Sequence, residues 1–170
     1  MGDTKCKITK VGVLRTYATR HGAGLFPTED KSLPPYPNEH NKKGEYQGNF
    51  RLGYFDFPLY NYAVDCLGGI DCLALTWCDP LKDYVKVCNY YKNLKIIELY
   101  NTTKLTSIKY PPKDKGDKLI GYQTLLGGFI KKLTPNYTIL KKGEFFDSFN
   151  LGITSYGPMA KDKFFHRDFD

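Results

Sequence analysis

Apolar positions along this chain fall in short runs that change period. Val11, Val13, Thr16 and Tyr17 are residue types that fit a pleated, half-buried strand, with Ile8 at its start. Arg20-His21-Gly22-Ala23-Gly24 then breaks the pattern as a turn with two glycines, which let the backbone approach another group closely. Residues 31–50 are rich in Pro, Asn, Lys and Gly and form no regular element; a loop of that length is functional or mobile. Helical spacing returns with Leu59, Tyr62, Ala63 and Cys66, entered through a capping Asp56 and Pro58 and closed by Gly68-Gly69. Ile70 to Thr76 is a continuous apolar run, the kind buried on both faces of a parallel sheet. Strand, helix and strand in that order predict a crossover unit in an α/β domain.

The second half reads as more strand. Trp77-Cys78-Asp79-Pro80-Leu81 closes the apolar run at the end where open α/β sheets place ligand contacts. Residues 84–91 and 95–100 alternate as two antiparallel, paired strands, with a third over 104–110 and a charged turn over 111–118. Leu125, Ile130 and Leu133 could line a helix, but Gly127-Gly128 speaks against one continuous element across 119–133. A short strand over 137–140, one or two helical turns over 144–149 and a last buried strand over 151–154 follow. Ser155-Tyr156-Gly157-Pro158 is a turn, and a mixed-charge tail runs to Asp170. The fold class expected is α/β: a partial, mostly parallel sheet with a crossover helix, plus an antiparallel strand subdomain.

Composition narrows the function. At 170 residues, 41% hydrophobic and 15% aromatic, the chain is long enough for one folded domain, residues 1–170. A net charge of +7 favours anionic partners: nucleotide phosphates, nucleic acid or an acidic surface. No Lys/Arg run interleaves with aromatics along one predicted strand face, which makes nucleic acid the weakest of the three. Five cysteines, an odd number without a Cys-x-x-Cys pair, argue against a disulfide framework and a zinc site. No signal peptide and no apolar run of membrane-spanning length is present, so a cytoplasmic location and no membrane partner are expected. His21, His40 and His166 show no metal-ligand spacing, and no phosphate-binding glycine loop or nucleophile elbow is found.

Four blocks carry a resemblance. Thr16-Tyr17-Ala18-Thr19-Arg20-His21-Gly22-Ala23-Gly24, followed by Phe26-Pro27-Thr28-Glu29, is similar to the purine-nucleotide loop of the adenylosuccinate synthetase family. It is closest to the short archaeal and viral forms, near the phage 2-aminoadenylosuccinate synthetases. The resemblance assigns Arg20, His21, Gly22 and Gly24 to the nucleotide substrate. Gln47 to Asp56 resembles the mobile loop that takes up L-aspartate, which assigns Asn49 and Arg51 to that substrate and makes residues 31–50 a mobile substrate loop. A guanidinium fork matches a carboxylate in two places. The longer bacterial enzymes carry a run of Thr and Arg here, which this sequence replaces with Asn41, Gln47 and Asn49 as weak substitutes.

Leu73 to Asp79 resembles the strand whose terminal aspartate reads guanine, since a carboxylate accepts both the N1 and N2 protons of that base. Trp77 stands where the family usually has Lys or His, and it either stacks on the base or packs in the core. Ile153 to Pro158 resembles the final Ser-x-Gly-Pro loop, which assigns Ser155, Gly157 and Pro158 to the same guanine.

The resemblance implies the C-terminal half of a ligase in purine nucleotide biosynthesis. Such an enzyme uses GTP and Mg2+ to phosphorylate the 6-oxygen of IMP, and the amine of L-aspartate then displaces the phosphate. The family's phosphate loop, catalytic Asp and catalytic His belong to its N-terminal half. No catalytic or metal-binding residue is therefore assigned to this chain, and inactivity alone is expected. The magnesium ligands are expected in that absent half, and the partners implied are a separate N-terminal half and a second copy in a homodimer. Two alternatives stay open: a phage-type activity on dGMP with ATP as donor, and a stand-alone purine-nucleotide-binding module without catalysis. Asp79 argues against an adenine donor.

Overall fold

The computed structural model describes residues 7–36, 39–41, 43–92 and 116–168. In chain order these residues form β1 (Val11–Arg15), β2 (Ala18–His21), β3 (Phe50–Gly53), β4 (Phe55–Asp56), α1 (Phe57–Cys66), β5 (Cys72–Thr76) and β6 (Tyr84–Tyr91). There follow α2 (Asp117–Ile130), β7 (Pro135–Lys141), α3 (Lys142–Asp147), β8 (Leu151–Ser155), a 3-10 turn (Ala160–Asp162) and β9 (Lys163–Phe165). They divide into two compact units, one of residues 1–16, 69–85 and 140–170, the other of residues 17–68 and 86–139. The strands expected over 95–100 and 104–110 lie outside the described residues.

The first unit is built on a four-stranded sheet in the order β1-β5-β8-β9. β1 and β8 flank β5 in parallel, in register Val11↔Cys72 to Arg15↔Thr76 on one side and from Leu73↔Leu151 on the other. The apolar run is buried as expected: Cys72 and Leu75 are fully covered and Leu73 is 1% exposed. Each such leucine contributes about 1.5–3 kcal/mol by leaving water. α3 adds Phe145, fully buried, whose ring meets Phe149 edge-on at 5.1 Å. Two expectations are corrected. β1 begins at Val11, leaving Ile8 84% exposed. The mixed-charge tail adds one more strand: β9 folds back antiparallel on β8 (Ile153↔Phe165 to Ser155↔Lys163), so β8 is not the last strand.

The second unit holds an antiparallel ribbon of β2 and β3 and a three-stranded sheet ordered β4-β6-β7. Arg20 and His21 were expected in a turn; instead they end β2, because β3 supplies ladder partners (Arg20↔Arg51, His21↔Phe50). α1 starts as predicted, with Asp56 Oδ1 accepting the Leu59 N–H at 3.1 Å, and Gly68 (φ 66°) follows its end. Its inward face is not the predicted one. Leu59, Ala63 and Cys66 are exposed, whereas Phe57 and Tyr60 turn inward to Phe55, with centroids at 5.1 and 6.1 Å. α2 also runs straight through Gly127-Gly128, correcting the expected break. Each interior glycine costs about 1 kcal/mol against alanine. Half-buried Leu119, Tyr122 and Ile130 offset that, and Leu25 Cδ1 packs 3.7 Å from where a Gly127 Cβ would sit.

Candidate functional site

The first unit presents the carboxyl ends of three neighbouring parallel strands, the position where open α/β sheets bind ligands. Thr16 leaves β1 by donating its N–H to Thr76 O (3.1 Å) and its hydroxyl to Trp77 O (2.6 Å). Trp77 is thereby held at φ 61°, and the next N–H, on Cys78, donates to Ser155 O at 2.9 Å. That one bond joins the Trp77–Pro80 turn to the Ser155–Pro158 loop. The sequence-predicted residues Asp79 and Ser155 are thus carried by loops tied together within one unit. Asp79 is exposed and its carboxylate faces solvent. Cys78 is buried, its Sγ donating to Leu75 O, and burial pushes its thiol up to about 11, so it is no nucleophile at neutral pH.

The Ser155–Pro158 loop is braced from the C-terminal side. Ser155 is buried and its hydroxyl donates to Gly157 O at 3.1 Å. Lys163 Nζ donates to Gly157 O (2.5 Å) and Met159 O (3.1 Å), and Asp162 accepts the N–H groups of Tyr156 and Met159. A Cβ on Gly157 would lie 2.5 Å from Asp162 Oδ2, so a larger residue there would have to move that carboxylate. Pro158 remains exposed. A cavity of ≈440 Å3 lined by Tyr156, Lys161, Lys163, Phe164 and His166 adjoins the loop. Lys163 and Asp162 escaped the sequence reading because a charged tail carries no periodic signal.

The second unit gathers the other predicted residues. Arg51 Nε and one terminal nitrogen donate to the two oxygens of Glu29 (3.0 and 2.5 Å). The other terminal nitrogen donates to Gly22 O (3.0 Å) and Gly24 O (2.7 Å). Four of its five N–H groups are therefore engaged, two on Glu29 and two on the Gly22–Gly24 turn. The hydrogen bonds from Arg51 hold the Glu29 carboxyl below the usual carboxylate range. Arg20 donates to Ala23 O, and its guanidinium fills the space that a side chain on Gly24 would need. His21 Nε2 lies 3.4 Å from Asn41 Oδ1, its ring sits 4.9 Å from that of Phe50, and its Nδ1 is buried without a hydrogen-bond partner among the described residues. Asn49 is exposed, and its carbonyl accepts the Gly22 N–H at 2.9 Å. Asn41, Lys43, Asn49, Phe50 and Arg51 line a cavity of ≈430 Å3 with Lys31 and the carboxylates of Glu29 and Asp30. Glu29 was missed as a site residue: its partner is 22 positions away and no local spacing announces the pair.

The sheet, with Asp79 and Gly157 on loops at its carboxyl edge, defines the chain as a mixed α/β protein. The family model for adenylosuccinate synthetase matches residues 2–122, and the chain belongs to that family. A Paulinella chromatophora organellar chromatophore adenylosuccinate synthetase is 41% identical over 87 residues, 48% of this chain and 20% of that protein. One from Caldicellulosiruptor saccharolyticus is 34% identical over 110 residues, covering 60% of this chain and 25% of that protein. The fully ligated adenylosuccinate synthetase from Plasmodium falciparum shares the fold, with a TM-score of 0.60 at 20% identity over 92% of this chain and 39% of that one. The chain thus spans a fifth to two fifths of the length of the relatives it matches. Among the described residues no helix is long and apolar enough to cross a membrane. Nor do three or more His, Cys, Asp or Glu residues gather there as a metal site.

Proposed function

We propose that these residues form the part of an adenylosuccinate synthetase that holds the guanine base and the carboxylate substrate, in the GTP-dependent ligation of L-aspartate to IMP. The observation that carries the reading is the Cys78 N–H to Ser155 O bond, which ties the Asp79 turn to the Ser155–Pro158 loop at one sheet edge. Asp79 accepts the N1 and N2 protons of guanine, and the backbone about Gly157 and Pro158 lies against the base. In the second unit Arg20, His21, Gly22 and Gly24 hold the nucleotide substrate. Asn49 and the remaining N–H of Arg51 receive the aspartate carboxylate, with Lys31 and Lys43 supplying charge in the same cavity. No catalytic group and no step through magnesium is assigned to this chain.

Equilibrium dialysis of the 170-residue chain against GTP and ATP tests this. GTP is retained in preference to ATP, and Asp79→Asn abolishes the preference. Equal retention of both nucleotides, unchanged by that substitution, would sink the reading. The chain alone, given IMP, aspartate, GTP and magnesium, releases no phosphate.

A further inference from the structure

Glu39 and Asn41, in the irregular segment after β2, return to the end of that strand. Glu39 is fixed there: its N–H donates to Tyr36 O (3.0 Å), and buried Tyr17 donates its hydroxyl to Glu39 Oε2 (3.0 Å). The rings of Tyr17 and Tyr36 pack with centroids 4.3 Å apart. The other oxygen, Oε1, receives two donors from Asn41, the backbone N–H at 3.0 Å and Nδ2 at 2.6 Å. A carboxylate only accepts, so the amide nitrogen of Asn41 must face Glu39 and the amide oxygen must face away. That oxygen lies 3.4 Å from His21 Nε2. An amide oxygen also only accepts, so Nε2 must carry the proton. In the neutral ring Nδ1 is then bare, and it is the atom buried without a hydrogen-bond partner among the described residues.

We propose that Glu39 and Asn41 are positioning residues that fix His21 as its Nε2–H tautomer, and so make it an acceptor toward the nucleotide substrate. The ligand half of this proposal rests on the nucleotide reading of the Gly22–Gly24 turn; the tautomer half does not. With Nε2–H engaged by Asn41 and Nδ1 bare, the ring has no donor left for a phosphate oxygen. It has a lone pair, which suits a sugar hydroxyl or a base N–H. A buried acceptor without a donor is costly, and a ligand that supplies one removes that cost. His21 therefore reads the nucleoside part of the substrate rather than its charge.

NMR of the ring nitrogens in isotope-labelled chain, at about pH 8 where an ordinary imidazole is neutral, tests the tautomer. Protonated and bare ring nitrogens differ widely in shift, and loss of signals in His21→Gln identifies those of His21. The parent is expected to show one form, with Nε2 protonated and Nδ1 bare. Asn41→Ala removes the acceptor and Glu39→Gln lets the amide turn, so in both the two tautomers should exchange and the shifts become averages. A parent with Nδ1 protonated, or His21 signals unmoved in both variants, overturns the positioning role. IMP, added beside equilibrium dialysis, should move the Nδ1 signal over the concentration range in which dialysis detects binding. Inorganic phosphate should leave it unmoved. Asn41→Ala should weaken IMP about two-fold, because the competent tautomer becomes one of two. IMP retained with Nδ1 unmoved, or phosphate protonating Nδ1, overturns the acceptor role and leaves the nucleotide reading standing. If dialysis retains no IMP, that reading fails and the acceptor role with it, while the tautomer stands or falls on the ligand-free spectra.

Discussion

Arg51→Lys separates two roles for Arg51, bracing the Gly22–Gly24 turn and, as proposed, receiving a carboxylate. In the parent the guanidinium grips both oxygens of Glu29 and two carbonyls of the Gly22–Gly24 turn. Lysine has the charge but not the fork, so it keeps one of those acceptor groups and releases the others. The side chains of Arg51 and Glu29 are 19% and 21% exposed, which places the pair between a surface and a buried one. Losing three of the four bonds, each brought below about 1 kcal/mol by solvent screening, removes about 2 kcal/mol. For a chain of 170 residues that lowers Tm by roughly 4–8 °C at pH 7. The Glu29 carboxyl is held low by the hydrogen bonds from Arg51. Its contribution is therefore present above the unfolded value near 4.3 and is lost as pH falls through the folded one. The gap between parent and variant should close in acid, and narrow in high salt. Thermal melts at pH 7 and pH 3.5, with amide spectra of Gly22 and Gly24, measure this. A variant melting within about 1 °C of the parent at pH 7, with those amides unmoved, would show that the turn does not depend on Arg51. The arginine would then be left to aspartate alone.

Asp56 titrates in the opposite sense. Burial raises its carboxyl above the ordinary value, so stability is fullest below the unfolded value near 3.9 and declines as pH rises through the folded one. Asp56→Asn should flatten that decline in denaturant titrations. Asp56→Ala should lose about 2 kcal/mol, because it removes the α1 cap and leaves the Tyr91 hydroxyl without its acceptor. Equal midpoints for the two variants would contradict the cap. Gly53 and Gly68 give a paired test of space against backbone: a Gly53 Cβ would lie 2.6 Å from Thr28 O, while at Gly68 (φ +66°) nothing lies within 4 Å. Gly53→Ala should cost about 3 kcal/mol and Gly68→Ala about 1–2 kcal/mol; the reverse order in chemical melts would refute the packing argument.

Much of the fold was legible where one physical signal dominates. The unbroken apolar run at Leu73–Leu75 could only be a strand covered on both faces, and Asp56 with Pro58 marks a helix start by local chemistry. What failed was decided by partners far along the chain. Arg20 and His21 read as turn because β3, which pairs them, follows a long irregular segment. The buried side of α1 depends on Phe55, outside the helix, and so did not follow from the spacing of Leu59 and Ala63. The functional blocks were visible as motifs, but how each side chain is engaged was not. Arg51 was expected to meet a substrate, and most of its donors are instead taken by Glu29 and by the turn beside it. Trp77 was left between core and ligand, a choice that only its backbone angle and exposure inform.

The four-stranded sheet has two unlike margins. At one, three-residue β9 ends the ladder with Lys163 folded onto Gly157 and Met159, which blunts further pairing. At the other, β1 has no outer neighbour among the described residues, and Val13 is 68% exposed. Among the described residues this is the margin at which an added strand would meet uncovered valine. Overproduced alone, the chain would be expected to self-associate through that border, and Val13→Lys is the simplest guard against it.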